Sequence, residues 1–146
     1  MAIAMDANAL LRFFQRTDPS HPVVRQSVRR LRASGDDICI LLQNVTEYWN
    51  VATRPPAARG GFGLTLQEAD QQVRTMERIF RLLPDTPDIY TEWRRLVLEV
   101  GVSGVQVHDA WIAACLRVHG VTRLLTFNTK DFTRYSGFIA VDPAQI

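Results

Sequence analysis

The chain has 146 residues, 47% of them hydrophobic and 22% charged, which is the composition of a globular domain with a sizeable buried core. A formal net charge of +2 is too small to identify a nucleic-acid partner by itself. No stretch approaches the roughly 18 apolar residues of a membrane span, and the start, Met1 to Asp6, lacks the basic and apolar regions of a signal peptide.

The elements predict an α/β chain. Ala2–Met5 is a short apolar run, read as a buried strand, and it feeds through Asp6 into a helix over Ala7–Phe14. After the loop Asp18-Pro19-Ser20-His21-Pro22, the stripe Val24, Val28, Leu31 predicts a helix over 23–33. Arg25, Arg29, Arg30 and Arg32 lie on its other face. Ile38–Leu42 reads as a second buried strand, followed at once by a helix to about Thr53 that carries Asn44 and Glu47. Residues 54–63 hold two prolines and three glycines and can form neither helix nor strand; a loop of this length suggests a lid or a partner contact.

Thr65-Leu66-Gln67-Glu68 is a capping box opening a long helix to about Phe80, with Leu66, Ala69, Val73, Met76 and Phe80 on its apolar stripe. Arg81–Pro84 is a candidate short strand. The helix that starts near Thr86-Pro87-Asp88 repeats the stripe with Ile89, Trp93, Leu96 and Val100 and stops at Gly101. Such spacing makes a seam between packed helices, either inside the core or between subunits. A helix over 108–119 is apolar throughout Ala110–Leu116 and must be buried on most sides, yet Asp109 stands in its first turn. Thr122–Phe127 reads as a strand ending in the polar turn Asn128-Thr129-Lys130-Asp131, and Phe138–Val141 as a weak last strand. Cys39 and Cys115 have no metal-ligand spacing and read as reduced core thiols of a cytoplasmic protein.

Each acid singled out has a bland reading. Asp6 and Asp109 are placed to cap helices, Glu47 to close a capping box with Asn44, and Asp131 to cap a turn. Together they form a pattern. Parallel strands joined by right-handed crossovers bring all their C-terminal ends to one edge, so Asp6, Glu47, Asp109 and Asp131 are expected to converge there. Close carboxylates repel one another without a cation. Oxygen-only donors, with no thiol and no histidine pair, select Mg²⁺ or Mn²⁺ over zinc. One such ion with an acid, or two about 4 Å apart, activates water for attack on a phosphodiester. Sixteen of the 17 basic side chains are arginine, a residue suited to phosphate, though a GC-rich genome also produces this bias.

The ordered motifs also resemble the PIN-domain ribonucleases. Ala4-Met5-Asp6-Ala7-Asn8 is similar to the first motif of that family, with Asn8 two residues after the acid. Gln43-Asn44-Val45-Thr46-Glu47 resembles the second, His108-Asp109-Ala110-Trp111-Ile112-Ala113-Ala114 the third, and Thr126-Phe127-Asn128-Thr129-Lys130-Asp131 the fourth. The resemblance runs over nearly the whole chain, whose size suits the VapC-type toxins of toxin–antitoxin pairs. It implies a single domain over 1–146 with a three-layer α/β/α fold around a short parallel sheet. It implies that Asp6 and Asp109 are metal ligands, that Glu47 and Asp131 complete the catalytic quartet, and that Thr126 and Asn128 shape the site. In the fourth motif Asn128 and Asp131 compete for one role. The implied activity is Mg²⁺-dependent cleavage of RNA in the cytoplasm, with a homodimer and a small antitoxin as partners. The alternative is a degenerate module of the same fold that binds protein or RNA without cutting. Two other metal-dependent classes fit poorly. An HD-type phosphohydrolase needs more histidines than His21, His108 and His119, and a DxD phosphotransferase needs an acid where Asn8 stands.

Overall fold

The computed structural model describes residues 1–146. Five parallel strands form one sheet in the order β3-β2-β1-β4-β5. They are β1 (Ala2–Met5), β2 (Asp37–Leu41), β3 (Arg81–Leu83), β4 (Arg123–Leu125) and β5 (Ile139–Val141). The helices are α1 (Ala7–Phe14), α2 (His21–Ala33), α3 (Leu42–Thr53), α4 (Leu66–Ile79), α5 (Pro87–Val100) and α6 (Val107–Val118). None is long and apolar enough to cross a membrane.

Side chains on a strand alternate between faces, and here both faces are buried. Ala4, Cys39, Leu41 and Leu124 point into one core with Ile89 and Leu96 of α5 and Ile112 and Leu116 of α6. Ile3, Met5, Ile38, Ile40 and Leu125 point into the other, with Leu10, Phe13, Val28, Leu31, Tyr48 and Met76 from α1 to α4. The expected three-layer α/β/α architecture is the one observed. Both cysteines are buried and unpaired, and burial pushes their thiols up, Cys39 to about 11 and Cys115 to about 12.

The differences from the sequence expectation have local causes. The α2 helix begins at His21, two residues early, because Pro22 is pre-set for a first helical turn. The strand predicted over 122–127 is reduced to Arg123–Leu125, flanked by single backbone bonds to β5 from the Ile139 N–H to the Thr122 carbonyl and from the Thr126 N–H to the Val141 carbonyl. The box expected between Asn44 and Glu47 is shifted: α3 starts at Leu42, and Asn44 Oδ1 accepts from the Leu41 N–H at 3.0 Å. The stripes of α4 and α5 do not pack on each other. Ile89 and Leu96 lie against α6, whereas Val73 and Met76 lie across the sheet with α1 to α3. Leu66, counted in the α4 stripe, is 63% exposed because it precedes the first turn that reaches the core. The 54–63 loop folds back on the end of α3, where Phe62 N–H and Gly63 N–H donate to the Val51 and Arg54 carbonyls. A Cβ at Gly61 would collide with the Arg54 carbonyl, so glycine is required there.

These burials give a stability test. Leu116→Ala empties a fully buried position and should cost about 3 kcal/mol by urea denaturation, whereas Leu66→Ala should cost under roughly 0.5 kcal/mol. Equal costs would contradict the helix placement described.

Candidate active site

The strand order reverses at β1: the chain builds outward through β2 and β3, then returns to the other side of β1 with β4. A crevice opens beyond the strand ends at such a switch point, because the connections that follow diverge to opposite faces. Asp6 leaves β1 there and Thr126 leaves β4 beside it, with the Asp6 N–H donating to the Leu125 carbonyl at 3.0 Å.

Asp6 is 6% exposed and both its oxygens are engaged. Oδ1 accepts from the Ala7 N–H at 2.8 Å, which makes Asp6 the cap of α1. Oδ2 accepts from the Thr126 hydroxyl at 2.8 Å and from Asn8 Nδ2 at 3.3 Å. The Thr126 hydroxyl, wholly buried, in turn accepts from Asn8 Nδ2 at 3.1 Å and the Asn128 N–H at 3.0 Å, and Asn8 Oδ1 accepts from the Phe127 N–H at 3.2 Å. Asn8 and Thr126 therefore lock the ends of β1 and β4 around one carboxylate. The capping reading of Asp6 is realised, and the same side chain also lines the cleft described next.

Asp6, Asn8, Glu47, Asp109 and Asn128 line one cleft of about 320 Å³, with Ile112 and Val51 among its apolar walls. Glu47 enters from α3 and Asp109 from the first turn of α6. Asp109 forms no cap bond, which leaves its carboxylate unengaged by the helix end it was expected to close. Asp131 lies on a 3-10 turn, Thr129–Phe132, exposed at the rim and outside the cleft lining. Asn128 reaches the lining instead. Asn44 is fully buried behind the cleft, bracing the start of α3.

The carboxylates feel one another. Burial raises the Asp6 carboxyl from its ordinary 3.8 to about 6, opposed by its hydrogen bonds from Thr126 and Ala7 and reinforced by the charges of Glu47 and Asp131. Asp109 is also raised, first by burial and then by Asp131 and Asp6, with Arg134 and His108 acting against this. The four acids spread along the sequence thus share one field, as the topology requires. As the side chains stand, no three of them close into a ready-made ligand set. An oxygen-only cleft of this kind suits an ion that keeps part of its water shell, as Mg²⁺ does, better than one needing a tight cage.

Two residues of this region were not singled out from the sequence. Asn50 lines the cleft one turn after Glu47, and Gln43 donates to Glu47 Oε1 at 2.9 Å. The spacing of three and four residues from Glu47 on one helix was the available signal.

The fold and this cleft define a parallel α/β protein with an acidic site at the topological switch point. A family model described as PIN domain matches residues 3–137, and the chain belongs to the PIN-domain family. No curated protein sequence matches it. Solved structures do. The chain resembles VapBC2 from Rickettsia felis, solved bound to a promoter DNA fragment, at 14% identity and a TM-score of 0.71, covering 97% of this chain and 98% of that one. It resembles a toxin–antitoxin complex from Klebsiella pneumoniae at 24% identity and 0.66, covering 99% of each. It resembles Mycobacterium tuberculosis VapC20, described as a sarcin–ricin loop cleaving toxin, at 18% identity and 0.65, covering 95% and 98%.

A buried acid held above its ordinary value penalises the fold wherever it is ionised. The penalty is absent below the unfolded value of 3.8 and complete above about 6. Asp6→Asn should therefore raise the melting temperature at pH 8 in EDTA by roughly 6–12 °C, with the gain disappearing toward pH 4. Differential scanning calorimetry across that range checks it; a gain that grows on acidification would contradict the assignment.

Proposed function

We propose that this protein is a Mg²⁺-dependent endoribonuclease and the toxin of a toxin–antitoxin pair. The observation that carries the reading is the buried Asp6, facing Glu47 and Asp109 in one cleft at the β1–β4 switch point and held above its ordinary carboxyl value. Leaving such a group uncompensated costs roughly 3 kcal/mol at neutral pH, which a divalent cation would offset. The ribonuclease and toxin parts draw support from membership of the PIN-domain family and from the likeness to VapC20 and to the toxin–antitoxin complexes.

Asp6 and Asp109 would hold the ion directly, with Glu47 and Asp131 contributing directly or through its water. Mg²⁺, with Mn²⁺ as a substitute, supplies a water of lowered pKa and neutralises charge on a phosphodiester. The chain's own part is preorganisation. Thr126 and Asn8 donate to Oδ2 of Asp6 and keep it from rotating, so the carboxylate meets a ligand without reordering. Asn128, with its backbone N–H fixed on Thr126, lines the cleft and would offer a neutral amide to the substrate. Ile112 and Val51 exclude bulk water from the cleft wall, which strengthens the electrostatic interactions within it. Arg134, the cation acting on Asp109, and the arginines of α2 would attract the RNA backbone. The proposal includes a cytoplasmic location, a homodimer, and a small antitoxin partner encoded beside this chain.

Purified protein incubated with mixed RNAs should cut them with Mg²⁺ and not in EDTA. Asp6→Asn and Asp109→Asn should each lower the rate at least about 100-fold while remaining folded by circular dichroism. Cleavage that persists in EDTA would overturn the metal-dependent reading. Co-expression with a short upstream open reading frame should yield a complex in which cleavage is suppressed.

A further inference from the structure

Glu47 is the one acid lining the cleft that comes from neither a strand tip nor the α6 turn, and a glutamate on a half-exposed helix position has several free rotamers. Its carboxylate is nevertheless held. Gln43, one helical turn earlier, places its Nε2 2.9 Å from Glu47 Oε1 and 3.1 Å from the His108 carbonyl. A primary amide nitrogen has two hydrogens, and this pair of acceptors uses both. The His108 carbonyl belongs to the first turn of α6, adjacent to Asp109. One amide group therefore connects the two helices that form opposite sides of the acidic cleft.

Resting on the ribonuclease reading above, we propose that Gln43 is a positioning residue: it fixes the Glu47 carboxylate and sets the spacing between Glu47 on α3 and Asp109 on α6. Three observations support a role beyond bracing. First, the acceptor of the Gln43 amide is the carboxylate that lines the cleft, so the bond acts on a group of the site itself. Second, engaging Oε1 leaves Oε2 as the oxygen without a partner in the chain. Third, α3 and α6 belong to different helical layers, with Tyr48 in one core and Ile112 in the other, so few other contacts hold their facing ends in register. Partners that orient ligands in this way typically contribute 10–100-fold in metal affinity.

The test measures Mn²⁺ affinity by electron paramagnetic resonance in the full chain, alongside RNA cleavage. Gln43→Met keeps the length and helix propensity of the side chain without a donor, and Gln43→Ala serves if the methionine variant fails to fold. Either should weaken Mn²⁺ binding about 10-fold and lower kcat more than it raises KM. In a Glu47→Ala background the same substitution should change Mn²⁺ affinity by less than about 2-fold, because its effect passes through Glu47. Unchanged affinity in the single variant, or an equal loss in both backgrounds, would overturn the inference while leaving the ribonuclease reading intact. A wild-type chain that binds no Mn²⁺ and cuts no RNA would instead remove the ribonuclease reading, and this inference with it.

Discussion

Asp6 sits where several requirements of the fold meet. Its N–H continues the β1–β4 pairing through Leu125, its Oδ1 closes the first turn of α1, and its Oδ2 takes the hydroxyl of Thr126 from the end of the neighbouring strand. A carboxylate buried this far is expensive unless its oxygens are occupied, and here three donors occupy them. Even so, burial prevails and the group stays above its ordinary carboxyl value. The structure thus keeps an electrostatic debt at its most central strand tip, and the remaining acids increase it.

That debt distinguishes a site from a set of caps. A residue recruited only to cap a helix would be expected to lower its carboxyl value through the helix N–H groups. Asp6 does cap α1, yet desolvation outweighs the cap bond. Asp109, at the N-terminus of α6, gains no cap bond and is raised first by burial and then by Asp131 and Asp6. Both acids are held in an arrangement that is unfavourable for the chain alone, and under the proposed function a divalent cation would relieve it. The apolar run Ala110–Leu116 gives α6 the burial that keeps Asp109 in this position, with Leu116 fully enclosed beneath it.

The polar support around the acids is divided by element. Asn8 and Thr126 serve Asp6 across the two central strands, whereas Gln43 serves Glu47 across α3 and α6. Asp131 has neither kind of support and lies exposed on its 3-10 turn, contributing through its charge at the rim. The sequence left Asn128 and Asp131 competing for one role. Their positions differ, with Asn128 among the residues lining the cleft and Asp131 outside that lining.

The sequence by itself determined the alternation of strands and helices, the burial of α6 and the set of acids, because these follow from local hydrophobic periodicity and from residue chemistry. It also pointed to one sheet edge for those acids, since parallel crossovers admit only one edge for the strand ends; Asp6, Glu47 and Asp109 line the cleft there and Asp131 lies outside its lining. It did not determine the switch point between β1 and β4, the assignment of α4 and α5 to opposite faces, or the early end of β4. Identical apolar stripes on α4 and α5 fit either face of a sheet buried on both sides. The bond from Thr126 to Asp6 spans 120 positions, and the one from Gln43 to the His108 carbonyl spans 65. No local pattern encodes contacts of that range. They exist only once the sheet order has placed β4 beside β1 and the sheet has set the first turns of α3 and α6 on the two sides of one cleft.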